Sequence, residues 1–574
     1  MLSSPNARWW GRFMMVLVGL GIAIRIANLA QPVYWVDEVA TSMRVSGYTQ
    51  AEVKAQVATA EPISGRDLQY FQRIRTDRPR TDLLRVLSQS PEHTPLYFIL
   101  VRFWAELWST SAAAMRSLSV VFGVLTLPAM YGLGRSLMTV RSGTGSGTGS
   151  ETDFETVTGT GVGEFAMGLL AISPFFIAYS QEARPYSLWT LLLLLTSQWL
   201  LRSLQSNRWQ SWLLYSLCLG LTFYTSLLTA LLVVGQGVAV LLFYRDRWRG
   251  YGLATGGALL SLLPWIWVVL TGWQTLQNNT QWTQVPIPVW EILGTWFYSL
   301  AVVFFDVPVA LHPVMLGLQI AIASMTVGLL LTGMVVMVRR APRTVWGFVL
   351  AGAWANPVLL LLLDVARNGQ STAPRYLIPV QLGALIAVAY WLGQTGDKPG
   401  DKHPEKVPRS RLLFSTVRTM VLGFLLAMSL LSAAMIQPSP YLKSRNLSNA
   451  ELAARLNLED NPQLISTPHH IQDLISLSYD LDTDIRFYIL PSEEDSPRSL
   501  LYEQIDPTRP IFWFGPSAAA REQIMTQNWG VWESVYQPPA LITGRFPLSL
   551  WQLELSPELA GQLIEKRAGQ AHTP

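Results

Sequence analysis

Tyr34-Trp35-Val36-Asp37-Glu38 decides how this chain is read. It follows the apolar run Phe13–Leu29, which is long enough for a membrane helix, and the stop Gln31-Pro32. Two adjacent carboxylates therefore stand within a few residues of the bilayer edge. Ionised groups are costly to hold near hydrocarbon, which makes them markers of function there. Adjacent helical residues point about 100° apart, so one of the pair is expected to enter a site. A carboxylate there suits a general base or a ligand for a hard cation. The bland alternative is a solvated acid pair at a helix end.

The rest of the chain agrees with a membrane setting. Of 574 residues, 50% are hydrophobic and only 14% charged, against about 25% charged in a soluble chain. The 23 tryptophans suit aromatic belts at many crossings. The net charge of +4 comes without a basic block, so nucleic acid is not an expected partner. Cys218 is the only cysteine, which excludes an intramolecular disulfide. Arg8 and Arg12 precede the first run as in a signal peptide. The run is long, lacks a small-residue cleavage site and is followed by more runs, so it reads as an uncleaved first helix.

Eleven apolar runs are long enough to be candidate spans: 13–30, 112–137, 164–180, 186–201, 210–225, 226–244, 252–271, 314–338, 345–363, 376–393 and 412–435. Lysines and arginines collect at alternate ends of these runs, which assigns those ends to the cytoplasm. The loop Gly272–Pro313, on the opposite side, has none. Asp37, Glu38 and everything after Ile436 then face outward.

The first outer loop, 31–110, ends in the apolar-aromatic Phe98–Trp108, which suits a helix lying in the interface plane. Residues 142–163 are rich in Gly, Ser and Thr and read as a cytoplasmic linker. Gly396–Arg411 is a second, charged one. The composition turns polar after Pro438. Short β-like runs at Arg486–Leu490, Pro510–Phe514 and Leu541–Leu553, with helices near Asn449–Leu458 and Ser517–Asn528, predict a small α/β domain. The domains expected are therefore 1–438 in the membrane and 439–574 outside it. Asn278 and Asn446 each begin a glycosylation acceptor triplet.

Four outward stretches hold polar chemistry. Beside Asp37 and Glu38 stands Ser180-Gln181-Glu182-Ala183-Arg184-Pro185-Tyr186, where Arg184 is a natural phosphate partner. Its alternative is a structural pair with Glu182. The third is Glu92-His93-Thr94-Pro95-Leu96-Tyr97, in which His93 is either a ligand or a hydrogen-bonded structural group. The fourth holds Arg367 and Arg375, cations on a side poor in them, next to Tyr376. Arg25, inside the first run, is expected to snorkel outward or to pair with a carboxylate. His469 and His470 have no ligand spacing and read as surface residues.

Taken in order, these pieces resemble the GT-C superfamily of polytopic glycosyltransferases, in particular its family 39-like bacterial branch. Protein O-mannosyltransferases and the lipid A aminoarabinose transferase are relatives of that branch. The matching stretches are Tyr34–Glu38, His93–Tyr97 running into Phe98–Trp108, Met115–Ser119 running into Gly132–Arg135, Ser173-Pro174-Phe175, Ser180–Arg184 and Arg375–Pro379. Thr94 stands where the family often has proline. The likeness covers about 10–435 and leaves the C-terminal segment unmatched.

The resemblance implies an α-helical membrane transferase of GT-C type that uses a polyprenyl-phosphate sugar donor and an extracytoplasmic acceptor. Asp37 would be its key catalytic residue, deprotonating or orienting the acceptor, and Arg184 and Arg375 would hold the donor phosphate. From the outward stretches themselves, Glu38, His93, Tyr97, Glu182, Arg367 and Tyr376 are expected to join the substrate site. Some relatives use a metal and others do not. A divalent metal ion held by Asp37, Glu92 and His93 therefore stays open, and no other cofactor is implied. A transporter or flippase for a lipid-linked substrate is the alternative; it would favour an internal repeat, and none is evident.

Overall fold

The computed structural model describes residues 5–59, 61–139, 161–284, 286–310, 312–367, 369, 373–394, 409–436, 446, 448–482, 484–491, 504–526, 528–537 and 548–570. Most of both expected linkers, 142–163 and 396–411, and the start of the run Leu541–Leu553 lie outside the described residues. The chain divides into two compact units.

The first unit comprises Met1–Leu29, Leu87–Val101 and Ala113–Pro438. Among the described residues, five helices are long and apolar enough to cross a membrane: Trp9–Ile26, Ala112–Met138, Pro313–Arg340, Arg343–Arg367 and Thr416–Ile436. Two bent pairs raise the number to seven. Val162–Ile172 with Pro174–Ser180 bends by 63°, and Thr229–Phe243 with Arg245–Ser261 by 119°. These helices make the chain an integral membrane protein. The Trp209–Phe223 helix leaves Leu213, Leu217 and Leu221 exposed in one stripe at the i, i+4, i+8 spacing, as a face turned to lipid requires.

The expected span 186–201 lies within the helix Tyr186–Ser206, and some of the others take shorter forms for local reasons. Residues 252–271 divide at Leu262, because Pro264 opens a new helix, Leu263–Thr271, and cannot donate to the preceding turn. Ile378–Gly393 is 16 residues long, and nearly all of it is buried among other helices. Small residues allow these helices to touch. A Cβ at Gly235 would collide with the Ala351 carbonyl, so Thr229–Phe243 and Arg343–Arg367 meet backbone to backbone.

The second unit comprises Ala30–Val86, Arg102–Ala112 and Ser439–Pro574. Most of the first outer loop thus folds with the C-terminal segment. Among the described residues, six strands form one sheet: β1 Ile63–Ser64, β2 Gln463–Ser466, β3 Arg486–Ile489, β4 Ile511–Phe514, β5 Gly530–Tyr536 and β6 Leu550–Leu555. Their order is β1-β3-β2-β4-β6-β5. The centre, β3-β2-β4, is parallel. The edge strand β1 comes from the first loop and pairs antiparallel with β3, Ile63 opposite Phe487.

The central strands β3, β2 and β4 bury both faces, and β4 accordingly reads as a continuous apolar run rather than an alternating one. Alternate side chains still separate the two faces. Leu464, Phe487, Phe512 and Phe514 pack with Val39, Met43, Tyr48, Leu68 and Phe71 of the loop. Ile465, Tyr488, Ile511 and Trp513 pack on the other side with Trp529, Trp532, Leu559 and Leu563.

Two carboxylates of this unit make its stability pH-dependent. Glu106 bonds Arg80 at 2.6 Å and Arg102 at 2.6 Å. The Arg80 hydrogen bond, with help from Arg102 and against some desolvation, holds its carboxyl below the usual range. Asp67 is lowered by the Ser64 hydroxyl and then by the Ser64 backbone N–H, in a reciprocal helix cap. Both groups bind a proton less readily folded than unfolded. Their contribution is complete above the ordinary carboxylate range, about pH 4 to 4.5, and is lost as pH falls through the depressed values. The thermal midpoint of the purified protein is therefore expected to fall between pH 5 and 3, and Glu106→Gln to flatten that slope. A midpoint independent of pH over this interval would contradict the assignment.

Candidate functional site

Asp37 stands in the first turn of the Val36–Val45 helix, in the second unit. Trp35 is extended, and its carbonyl accepts from the N–H groups of Glu38 at 2.9 Å and Val39 at 3.0 Å. The positive end of the helix dipole favours an ionised acid here. Glu38 is wholly buried, whereas Asp37 is partly exposed. Of the two adjacent carboxylates, Asp37 is the one presented to solvent, as the angular offset of neighbouring helical residues leads one to expect. The Ser42 hydroxyl donates to the Glu38 carbonyl and is hydrogen-bonded to the Tyr34 hydroxyl, which ties the approach strand to the helix. At the far end Arg102 donates to the Val45 carbonyl at 2.8 Å, a cation on the negative pole of the dipole.

The Ser180–Tyr186 stretch belongs to the first unit and is fixed by residues that the sequence did not single out for this purpose. Pro174 lacks the N–H that would bond the Leu170 carbonyl, so the helix breaks before it. Arg25 fills the break. Its guanidinium is fully buried and donates to the carbonyls of Ala171 at 2.6 Å, Leu170 at 3.0 Å and Gly21 at 2.9 Å. The expectation that Arg25 snorkels or pairs with a carboxylate is corrected: the carbonyls of a broken helix draw it inward. Gln181 donates to the carbonyls of Ile24 at 2.9 Å and Ala27 at 2.9 Å, closing the end of the first span. Arg116, also buried, donates to the Leu29 carbonyl at 2.8 Å.

Glu182 and Arg184 are both buried in the loop so formed. The Arg184 N–H donates to the Glu182 carbonyl at 2.8 Å, and its guanidinium lies 5.7 Å from the centre of the Tyr186 ring. The Ser119 hydroxyl reaches the Arg184 carbonyl at 3.4 Å and the Tyr97 hydroxyl at 2.8 Å. Tyr97 is fully buried and is part of the loop's support.

His93 stands 3.6 Å from Glu92 and packs against Phe98. Glu92 also accepts from Asn279 at 3.0 Å. Arg375 is the middle residue of a short turn, Pro374–Tyr376, with its guanidinium 5.2 Å from the Tyr376 ring centre. Arg367 is exposed at the end of the Arg343–Arg367 helix. A cavity of about 50 Å³ lies elsewhere in this unit, between the Ala112–Met138, Tyr186–Ser206 and Arg343–Arg367 helices. It is lined mainly by apolar residues, with Ser197 and Gln236, and no expected site residue borders it.

Among the described residues, no three His, Cys, Asp or Glu side chains converge as a metal site. His470 also departs from the surface reading. Its ring meets the edge of Phe514 and lies 4.0 Å from Asp473, a buried acid; burial of Phe514 at the end of β4 draws it in.

No family model matches the sequence, and no curated protein matches it. A solved structure does. ArnT from Cupriavidus metallidurans in the apo state superposes with a TM-score of 0.50 at 12% identity, over 97% of this chain and 100% of that one. This chain has the ArnT fold. A second ArnT structure from the same organism, bound to undecaprenyl phosphate, gives 0.48 at 12% identity over 95% and 98%. ArnT is a GT-C protein, so the fold agrees with the resemblance of the motifs. At this identity the likeness speaks for the fold, and the roles of individual residues rest on their own chemistry.

Proposed function

We propose that this chain is a membrane glycosyltransferase that moves a sugar from a polyprenyl-phosphate donor to an acceptor outside the cytoplasm. The carrying observation is Asp37: an acid at a helix N-terminus, just past the first span, on a chain with the ArnT fold. On this reading about eleven crossings alternate as the Lys/Arg pattern assigns, and Asp37 faces away from the cytoplasm. It deprotonates or orients the acceptor, which displaces the polyprenyl phosphate with inversion at the anomeric carbon. Arg184 and Arg375 hold the departing phosphate, where fixed charge favours the transition state. Glu38, Arg367 and Tyr376 support donor or acceptor. A transporter reading is less favoured, since an ArnT fold gives it no support.

The test is mass spectrometry of envelope glycolipids and glycoproteins from cells with and without this chain. One sugar modification is expected to disappear on deletion and return on complementation; identical profiles would refute the reading. Arg184→Ala is expected to weaken binding of undecaprenyl phosphate to the purified protein ten- to a hundredfold, about 1.4 to 2.8 kcal/mol. Arg184→Lys should recover part of it, because a point charge cannot replace a planar fork. Equal binding by all three proteins would remove Arg184 from the phosphate site.

A further inference from the structure

The helix that bears Asp37 has an N-terminus without a local cap. Trp35 occupies the cap position and has no acceptor to offer. The missing acceptor comes from 410 residues downstream: Asn446 Oδ1 accepts the Val36 N–H at 3.1 Å. Asn446 is buried, and its Nδ2 donates to Asp473 Oδ1 at 3.4 Å. The backbone donor fixes which end of the amide faces which partner. Asp473 is fully buried in the first turn of the Ile471–Leu477 helix, directly behind β2. Burial also removes Asn446 from the expected glycosylation acceptors.

We infer that Asn446, held by Asp473, is a positioning residue for Asp37, so that the C-terminal segment sets the geometry of the reacting acid. Val36 precedes Asp37 by one residue. The bond at its N–H therefore fixes the direction of the turn on which the carboxylate stands. Asp473 holds the amide in register with the sheet, and His470, 4.0 Å from its other oxygen, seats that end against Phe514 and Gly515. An alanine at 446 would leave the Val36 N–H without its acceptor and the first turn free to fray. Misplacement of a reacting group by about 1 Å costs on the order of a hundredfold in rate.

This inference rests on the proposed role of Asp37, and its test separates the two. Full-length Asn446→Ala, Asn446→Asp, Asp473→Asn and the double Asn446→Asp/Asp473→Asn are compared with Asp37→Asn and wild type. Hydrogen exchange of the peptide Trp35–Val45 is read by mass spectrometry. Transfer is read as the sugar modification restored in deletion cells, and undecaprenyl phosphate binding on the purified proteins. Asn446→Ala is expected to speed exchange in that peptide and to lower transfer ten- to a hundredfold, with binding of undecaprenyl phosphate unchanged. Asn446→Asp sets two carboxylates face to face and should do the same. The double variant restores an acceptor for Val36 and a donor for that acceptor, and should recover transfer to within about threefold. Unchanged exchange in Asn446→Ala, or fast exchange with full transfer, overturns the inference. So does failure of the double variant to rescue, including where Asn446→Ala does not accumulate. If Asp37→Asn keeps full transfer, the role of Asp37 falls, while the exchange data still report on the cap.

Discussion

Asp37→Asn is expected to abolish sugar transfer in complemented cells while the protein accumulates, inserts and melts as the wild type does. The amide keeps the size and hydrogen-bonding reach of the acid but cannot take a proton, and loss of a positioned base costs about 10² to 10⁴ in rate. Asp37 is partly exposed, so the exchange creates no buried hole. Glu38→Gln makes the contrast. That side chain is wholly buried, so its loss should register in the melting temperature as well as in transfer. Full transfer by Asp37→Asn would end the assignment. A loss of transfer accompanied by a comparable loss of folded protein would mean that the residue acts through the helix instead.

Arg25→Leu is expected to have the largest effect on folding of any single change in the first unit. The guanidinium serves two backbone carbonyls where a helix is broken, those of Leu170 and Ala171, and that of Gly21 in its own helix. A buried acceptor left without its donor costs about 1 to 3 kcal/mol, and no water stands by in hydrocarbon to replace it. Together these approach a sizeable part of the 5 to 15 kcal/mol that holds a typical protein folded. The protein should accumulate poorly, and what is recovered should unfold several degrees lower in detergent. Arg25→Lys should fall between, having the charge without the fork. Wild-type accumulation of Arg25→Leu would show that the carbonyls find other partners.

The sequence made the apolar runs and the acid after the first span legible, because both are signals of composition and local spacing. The runs Arg486–Leu490 and Pro510–Phe514 correspond to β3 and β4, and the helix near Asn449–Leu458 is seen at Asn449–Leu456. What could not be read was pairing across the chain. β1 is two residues long and carries no periodicity, so nothing local marks Ile63 as the partner of Phe487. Arg25 misled for a related reason. An arginine in an apolar run suggests a search for water or a carboxylate, yet its partners are carbonyls released by Pro174, far along the chain. The split at Leu262 had a visible cause in Pro264, which run length outweighed.

The two-residue strand β1 ties events at the ribosome to the finished fold. Ile63 and Ser64 emerge early and must wait for Phe487 and Arg486, more than four hundred residues later, before their edge is closed. Throughout synthesis of the intervening chain, the segment that bears Asp37 lacks the sheet face on which Val39 and Met43 come to rest. Contacts so distant in sequence form late. A message truncated before β2 would therefore yield membrane helices followed by an Asp37-bearing segment that had never been set in place, and a cell's proteases would meet an unfinished loop.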